Sequence, residues 1–288
     1  MRILAHAALA LICSATVALP ARSVYGQSEV RALHVETLAA GRDSSKKIEY
    51  FWMAPLGNGP WPAIMFIHGY QAGRDTPGGK AFVDYGVLDS AATHGYVGIA
   101  LSQPGYGHSN GPPDFMGPET VTAAELVIQH FRAEPFVRRD RIGLEGVSRG
   151  AVVASLVAAR DSTIRAMVLI SGAYDFVTPL DSSTAAGRLN IARRAQVRSD
   201  IAVETDGSAA ALRARSALSL VSLIRTPTLI MNGEKDDRTD PDQARMLAEG
   251  IRKNGVFARA IIYPELGHAI PYAMREREVE PFFERYLK

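Results

Sequence analysis

The amino-acid sequence predicts an α/β fold with a doubly wound, mostly parallel sheet of eight strands. Short β-rich runs alternate with amphipathic stretches from about residue 30 onward, a pattern typical of right-handed crossovers between parallel strands. The runs at 63–67, 166–170 and 228–231 are almost continuously apolar, as in strands that are buried on both faces of a sheet. The length of 288 residues allows one large domain of this kind.

The predicted strands and helices follow each other in the expected alternation. Strands are predicted near 31–38, 47–53, 62–67, 96–101, 141–147, 165–170, 227–232 and 259–263. Helices are predicted near 79–93, 119–133, 149–160, 208–222, 240–253 and 273–287, with Asp240 as the N-cap before Pro241. Because no helix separates the first two strands, we expect them to form an antiparallel edge.

The stretch between the sixth and seventh strands is longer than a crossover connection needs. It runs from Ser171 to Arg225 and contains helix-forming runs at 191–198 and 209–212. We therefore predict a small helical insertion after strand 6, at about residues 175–222. The sequence leaves open whether this insertion covers the active site or forms a peripheral excursion without substrate contact.

Residues 1–26 have the pattern of a signal peptide. Residues 3–19 are mostly apolar, and Pro20 ends the run. An uncleaved membrane anchor is the alternative, although the run is short for a bilayer span. Cleavage would remove the only cysteine, Cys13, and leave a domain at 27–288 without a thiol. We expect this domain to be secreted or periplasmic, with no stable membrane insertion.

The charge balance gives no reason to expect a polyanionic partner. The full chain has 32 Lys and Arg against 30 Asp and Glu, a net charge of +2. Arg2 and Arg22 lie in the predicted signal peptide, which holds no acid, so the remaining chain has 30 charges of each sign. No nucleic-acid partner is expected from such a balance. The oligomeric state is left open.

The pentapeptide Gly-Val-Ser-Arg-Gly at 146–150 joins a predicted strand to a predicted helix. The pattern G-x-S-x-G in that context is typical of a nucleophile elbow, a sharp turn that exposes the serine above the sheet. Flanking glycines remove the Cβ atoms that would clash in such a turn. The helix N-terminus beside the serine favours anionic intermediates. Ser148 is therefore the candidate nucleophile.

A serine nucleophile needs a general base and an acid that orients it, and in elbow enzymes they follow in the order acid, then histidine. His268 follows the last predicted strand and is the candidate base. The loop after the preceding strand holds two adjacent acids, Asp236 and Asp237, which spacing alone does not separate. Asp175, after the sixth strand, is a weaker alternative.

The oxyanion intermediate of acyl transfer needs two preorganised N–H donors. One donor is predicted to be the backbone N–H of Arg149, the residue after the nucleophile. The other is predicted to be the backbone N–H of Tyr70, in the loop after the third strand. Gly69 precedes it and lets the backbone approach the substrate closely.

Five segments together resemble an α/β-hydrolase, most closely the single-domain, prolyl-oligopeptidase-like branch that is related to dienelactone hydrolases and esterases. The resemblance runs from about Pro62 to the C-terminus and implies that Asp236 is the triad acid, because the family has a G-x-x-D turn. The matching segments are His68-Gly69-Tyr70, Gln103-Pro104-Gly105-Tyr106-Gly107-His108-Ser109, the elbow at 146–150, Gly233 with Asp236, and Gly267-His268.

The sequence departs from the family's peptidases in two ways. Nothing in it corresponds to their large N-terminal propeller, and His68 stands where they use a tyrosine oxyanion donor.

We therefore expect a secreted serine hydrolase that cleaves carboxylic esters through an acyl-enzyme. The alternatives are an exopeptidase or amidase with the same triad, and an inactive binding protein. A peptidase would need a subsite for a peptide terminus, for which the insertion offers Arg188, Arg193, Arg194 and Arg198.

The expected substrate is a small ester or a short peptide. His68, Phe115 and Tyr174 are candidate pocket residues. No cofactor and no metal is expected: the acidic residues at 236–242 lack calcium-loop spacing, and no phosphate-binding or dinucleotide motif is present.

Overall fold

The computed structural model has the single eight-stranded sheet that the sequence predicts, and it describes residues 31–39, 45–72, 75–111, 113–178, 195–203 and 207–288. The strands are β1 (His34–Ala39), β2 (Lys47–Met53), β3 (Trp61–Ile67), β4 (Val97–Leu101), β5 (Val137–Val147), β6 (Ala166–Ile170), β7 (Thr228–Gly233) and β8 (Ala258–Tyr263). The predicted signal peptide at 1–26 lies outside the described residues, as do Arg188, Arg193 and Arg194. The chain from Arg31 to Lys288 clusters as one unit.

The strand order is β1-β2-β4-β3-β5-β6-β7-β8. β1 pairs with β2, and β2 with β4, in antiparallel fashion, which confirms the predicted antiparallel edge. All other neighbouring pairs are parallel. The carboxyl ends of β3, β5, β6, β7 and β8 therefore meet at one edge of the sheet, where ligands bind in open α/β folds.

Helices cover both faces of the sheet. The helices are α1 (Lys80–Asp84), α2 (Val87–Thr93), α3 (Pro118–Ala133), α4 (Arg149–Arg160), α5 (195–203), α6 (Ala209–Ala214), α7 (Pro241–Lys253) and α8 (Tyr272–Leu287), with a 3-10 helix at Ala217–Leu223. One buried apolar cluster contains side chains of α3, α4 and α7, and a second contains side chains of α1, α2 and α8. Each face of the sheet thus has its own core.

Two predicted helices differ from the observed ones. The helix expected at 79–93 is divided into α1 and α2 at Gly86, which has a left-handed backbone conformation with φ of 70°. The helix expected at 208–222 ends after Ala214 and continues as a separate 3-10 helix, because Ser216 is extended between them. Among the described residues, no helix is long and apolar enough to cross a bilayer.

The described part of the insertion packs against the loop that precedes α3. Ile201 and Leu212 belong to the core cluster on the α3 and α4 side. The buried Arg215 donates from Nε to the carbonyl oxygen of Phe115 at 3.1 Å and from Nη2 to that of Asp114 at 3.1 Å. The Phe115 ring in turn lies 5.2 Å from the guanidinium carbon of Arg149. Phe115 therefore connects this part of the insertion to Arg149, the residue after Ser148.

Candidate active site

The elbow turn places Ser148 between β5 and α4 in a strained backbone conformation. Its φ of 54° and ψ of −117° are rarely adopted by residues other than glycine. A Cβ on Gly150 would lie 1.9 Å from the carbonyl oxygen of Ile67, so a larger residue cannot stand there without moving β3. The Ser148 N–H donates to the Ile170 carbonyl at 2.7 Å, which ties the turn to β6. The predicted strand-turn-helix context of Ser148 is confirmed.

His268 lies between Ser148 and Asp236. Its Nε2 is 3.0 Å from the Ser148 Oγ, and its Nδ1 is 2.9 Å from Oδ2 and 3.1 Å from Oδ1 of Asp236. An ionised carboxylate only accepts hydrogen bonds, so the neutral imidazole carries its proton on Nδ1. Nε2 is then free to accept the hydroxyl proton of the serine. The structure brings together the three residues that the sequence singled out.

Several donors surround the Asp236 carboxylate. Oδ1 accepts the backbone N–H groups of Arg238 at 2.8 Å and Thr239 at 2.9 Å, and Oδ2 accepts the Thr239 hydroxyl at 2.6 Å. Asn232 donates its side-chain amide to Oδ2 at 3.2 Å. Burial alone would raise the pKa of Asp236, but the hydrogen bonds from His268 and Thr239 outweigh it and lower that pKa. Asp236 therefore stays ionised at neutral pH.

The other two candidate acids have different surroundings. Asp237 is exposed, one residue beyond the acid that contacts His268. Asp175 accepts the backbone N–H groups of Val177 at 2.7 Å and Thr178 at 3.1 Å, and so caps a local turn. The structure therefore separates Asp236 from Asp237, which spacing alone did not.

The predicted oxyanion loop lies directly against the nucleophile. A Cβ on Gly69 would be 3.2 Å from the Ser148 Cβ, so only glycine allows this approach without displacement. Among the described residues, neither the Tyr70 N–H nor the Arg149 N–H donates a hydrogen bond. Both predicted donors are thus available beside Ser148 for a developing oxyanion.

The side chain of His68 fixes the direction of the Tyr70 N–H. The Gln103 N–H donates to His68 Nε2 at 3.1 Å, so Nε2 accepts and Nδ1 carries the proton that is donated to the Gly69 carbonyl at 2.8 Å. The Gly69–Tyr70 peptide is trans, and in a trans peptide the C=O and N–H groups point in opposite directions. Holding the Gly69 carbonyl therefore aims the Tyr70 N–H the other way.

His68 is held in its neutral form. Burial lowers the pKa of its imidazole to about 4, and the positive charge of Arg149 acts in the same direction, against the opposing effect of the bond to Gly69. Its side chain is 3 % exposed, so the prediction that it lines the substrate pocket is wrong. The reason is that the loop after β4 covers the His68 ring. The ring therefore supports the oxyanion loop on the side that faces away from the substrate.

The other two predicted pocket residues differ from each other. Tyr174 is 0 % exposed and packs in the core, and its pKa is raised by burial, so the prediction that it lines an open pocket is also wrong. Phe115 is half-buried and has an unusual φ of 41°, as does Met116 with φ of 63°. Phe115 thus remains a candidate for the substrate side of the elbow.

Sequence reasoning missed three residues that the geometry ties to the site. Thr239 and Asn232 both donate to Asp236, and Gln103 contacts His68 and Arg149. The sequence contained a signal for the Asp236–Thr239 contact, because an aspartate three residues before a threonine in a loop often caps the turn between them. Gln103 gave no such signal, because its partners are distant in sequence.

No metal-binding cluster is present among the described residues. Within the acidic segment at 236–242, Asp236 contacts His268, Asp240 caps α7 by accepting the Asp242 N–H at 3.0 Å, and Asp242 pairs with Arg245 at 2.6 Å. Of the four insertion arginines, Arg198 is described, and it is exposed.

A family model supports the relationship that these contacts suggest. The model of the prolyl oligopeptidase family, peptidase family S9, matches residues 116–288, which is more than half of the chain and includes the elbow, the acid and the histidine. The chain belongs to the prolyl oligopeptidase family of serine hydrolases.

Individual relatives are distant and mostly longer. An uncharacterised peptidase of Bacillus subtilis, YuxL, is 23% identical over 245 residues, which are 80% of this chain and 35% of that protein. An uncharacterised Caenorhabditis elegans protein, F37A4.1, is 30% identical over 120 residues, which are 40% of this chain and 24% of that protein. The chain therefore spans about a third or less of the curated relatives that it matches.

Solved structures with the same fold include both peptidases and esterases. Acylaminoacyl peptidase from Pyrococcus horikoshii superposes with a TM-score of 0.70 at 17% identity, over 91% of this chain and 43% of that chain. A Pyrococcus furiosus esterase superposes with a TM-score of 0.66 at 16% identity, over 90% of this chain and 92% of that chain. These matches confirm the predicted α/β-hydrolase fold.

Proposed function

We propose that this chain is a serine hydrolase that cleaves carboxylic esters through a Ser148-His268-Asp236 triad and an acyl-enzyme. The observation that carries the proposal is the continuous contact from the Asp236 carboxylate through both ring nitrogens of His268 to the Ser148 Oγ. Nucleophile, base and orienting acid in this relation define triad catalysis, whatever the fold that carries them.

In the acylation half-reaction, His268 Nε2 takes the hydroxyl proton of Ser148 while Oγ attacks the carbonyl carbon of the ester. The carbonyl oxygen becomes an oxyanion, which accepts the backbone N–H groups of Tyr70 and Arg149. When the tetrahedral intermediate collapses, the bond to the alkoxide breaks and the His268 Nε2–H protonates the leaving alcohol. The acyl group remains on Ser148 as an ester.

In the deacylation half-reaction, water replaces the alcohol. His268 Nε2 takes a proton from the water as its oxygen attacks the acyl carbon, and the same N–H groups accept the second oxyanion. Collapse breaks the bond to Ser148 Oγ, which recovers its proton from His268, and the carboxylic acid leaves. Asp236 stays ionised throughout and stabilises the imidazolium that forms in each half-reaction.

Two considerations support ester over peptide substrates. An esterase, from Pyrococcus furiosus, is among the solved structures that share this fold. Esters also have a better leaving group than amides and need no subsite for a peptide terminus. Export by the predicted signal peptide is part of this proposal and would place the reaction outside the cytoplasm.

An exopeptidase or amidase is the second candidate, because the family and the Bacillus subtilis relative are both named for peptidases. The chemistry would be the same, with an amine as leaving group. A binding protein without activity is disfavoured by the intact contacts between Ser148, His268 and Asp236.

The test compares wild type, Ser148→Ala and Ser155→Ala on short-chain p-nitrophenyl esters and on aminoacyl and dipeptidyl amides. Ser155 is a matched control: it is a buried serine of α4 whose hydroxyl bonds only to the Val152 carbonyl among the described residues. We expect ester turnover to disappear with Ser148→Ala and to persist with Ser155→Ala. Amide turnover of equal efficiency would instead assign a peptidase, and unchanged ester turnover in Ser148→Ala would refute the triad.

A further inference from the structure

Gln103 is a buried residue that bonds to both His68 and Arg149, although the mechanism of acyl transfer does not require it. It is the second residue after β4 and is 0 % exposed. Its side-chain Nε2 donates to the His68 carbonyl at 2.6 Å, and its backbone N–H donates to His68 Nε2 at 3.1 Å. Gln103 therefore holds His68 at two points, and through His68 it holds the peptide that presents the Tyr70 N–H.

The oxygen of the Gln103 side-chain amide contacts Arg149, the residue after Ser148. Its Oε1 accepts the Nε–H of Arg149 at 3.2 Å. Arg149 also supplies the second predicted oxyanion donor through its own backbone N–H. One buried amide is thus bonded to both residues that carry or orient the two oxyanion donors.

The guanidinium of Arg149 is in an unusual environment for a structural arginine. It is 6 % exposed and makes no ion pair within the described part of the chain. Its Nη1 donates to the Tyr106 hydroxyl at 3.0 Å, and its carbon lies 5.2 Å from the ring centres of both Tyr106 and Phe115. Nη2 is buried without a hydrogen-bond partner among the described residues.

A buried charge without a counter-ion is costly, so a role in the reaction would account for its retention. A positive charge interacts most strongly with a negative one where water is excluded. In acyl transfer, the negative charge that develops is on the oxyanion, which the neighbouring N–H groups bind. The guanidinium belongs to the residue next to the nucleophile, and Gln103 and the Tyr106 hydroxyl together hold it in place.

We propose that Gln103 is a positioning residue of the oxyanion hole, linking the Arg149 side chain to His68 so that both backbone donors are held in place and the Arg149 charge is kept beside the oxyanion loop. This inference rests on the proposed acyl-transfer function. It assigns the side chain of Arg149 a part in the reaction beyond its backbone N–H, and it gives a role to a buried glutamine that the triad does not use.

The principal variant is Gln103→Met, which keeps the length of the side chain and removes both hydrogen-bonding groups. Gln243→Met is the matched control, because Gln243 is also buried and its Oε1 accepts the backbone N–H groups of Tyr174 and Asp175, away from His68. Both substitutions are expected to lower the melting temperature. Only Gln103→Met is expected to change the chemistry.

For Gln103→Met we expect kcat on p-nitrophenyl esters to fall about 10- to 100-fold, approaching the loss caused by removal of one oxyanion donor. KM should stay within about threefold, since the loss falls on the transition state rather than on ground-state binding. The acid limb of the pH–rate profile should not move, because the contacts between His268 and Asp236 are untouched. Phosphonylation of Ser148 by a fluorophosphonate probe should slow in parallel, because it needs the same donors but no substrate pocket.

Gln103→Glu tests the contact with His68 while it keeps the contact with Arg149. A carboxylate still accepts from Arg149 but cannot donate to the His68 carbonyl, and it would neutralise the Arg149 charge. We expect a loss of kcat similar to that of Gln103→Met. If Gln103→Met does not fold, Gln103→Glu and Arg149→Met carry the same test, each measured per folded molecule.

The inference is overturned if Gln103→Met or Gln103→Glu keeps wild-type kcat and labelling rate. It is overturned as well if the loss is entirely in KM, or if Gln243→Met slows labelling equally. Failure of the proposed function has a different signature, because Ser148→Ala would then retain turnover or wild type would not react with the probe.

Discussion

At the scale of single residues, the proposed catalysis depends on how Asp236 determines the protonation of His268. Its carboxylate accepts the Nδ1–H, which leaves Nε2 unprotonated toward Ser148. Four further hydrogen bonds, from Asn232, Arg238 and Thr239, hold the carboxylate in place. An acid held in this way is both ionised and unable to rotate, and so it keeps one tautomer of the imidazole in place.

Asp236→Asn should test this dependence directly. An amide in place of the carboxylate can donate to Nδ1, which then accepts and moves the proton to Nε2, where it blocks proton transfer from Ser148. We expect kcat to fall by roughly 10³- to 10⁴-fold with little change in folding, as replacing the acid of a triad by its amide does elsewhere. Esterase assays across pH, with the exposed Asp237→Asn as control, measure it. Equal losses for the two variants would remove Asp236 from its proposed role.

The residues of the site differ in how far the sequence reveals them. Ser148 and His268 are found from the sequence because the elbow pattern and the chain order of the triad are local or ordinal features. Asp236 needed the family's G-x-x-D turn, since the pattern of charges leaves Asp237 equal to it. Gln103 was missed because its function exists only through contacts with His68 and Arg149, which lie 35 and 46 residues away.

At the scale of elements, a local capping signal determines where one helix beside the site begins. That helix is α7: Asp240 accepts the Asp242 N–H at 3.0 Å, and Pro241 occupies the first turn. This helix begins directly after the turn that surrounds Asp236. The N-cap and proline, both local features, explain why Asp240 was correctly predicted as the N-cap of α7.

Asp240→Ala should therefore weaken α7 without touching the chemistry. Loss of an N-cap acceptor typically costs about 1 kcal/mol of unfolding free energy, because a helix N–H loses its partner. Asp240→Ser keeps an acceptor at the same place and should recover most of that stability. Urea unfolding monitored by circular dichroism compares the three proteins. A stability of Asp240→Ala within error of wild type, or no recovery in Asp240→Ser, would show that the cap is unimportant here.

Helix interruptions were harder to predict than helix starts. The division between α1 and α2 depends on the left-handed conformation of Gly86, but an isolated glycine within a helical pattern is more often tolerated than used as a break. The end of α6 depends on Ser216, whose hydroxyl donates to the Leu212 carbonyl at 2.8 Å and accepts the Phe176 N–H at 2.8 Å. Such tertiary partners leave no local pattern in the sequence.

At the scale of the whole molecule, the sheet separates two apolar cores. The fold class was predictable because the uninterrupted apolar strands contribute side chains to both cores. One departure from that apolar pattern was not predicted. Glu145 lies in β5, three residues before Ser148, and its side chain is buried on the face covered by α8. Burial raises the pKa of its carboxyl to about 7, an effect that Arg275 opposes and Glu276 reinforces.

A carboxyl that is protonated in the folded protein makes stability fall as pH rises. In the unfolded chain Glu145 ionises near its ordinary value of 4.5, whereas in the folded protein it holds its proton until about pH 7. Between these values the unfolded state binds fewer protons than the folded state, so the free energy of unfolding decreases with pH. The full difference is on the order of 3 kcal/mol, since one pKa unit corresponds to about 1.4 kcal/mol.

Glu145→Gln removes this titration while preserving the shape of the side chain. We expect the variant to match wild type in unfolding free energy near pH 4.5 and to exceed it increasingly up to pH 7, with a constant difference above. Glu284→Gln, an exposed glutamate on the same helix that packs over this core face, serves as the control and should follow the wild-type curve. Urea unfolding from pH 4.5 to pH 8.5 measures all three. Parallel curves for wild type and Glu145→Gln would contradict the prediction. They would mean that the folded protein accommodates the ionised Glu145, through Arg275 or through local opening of α8, so that burial of this carboxyl does not make stability depend on pH.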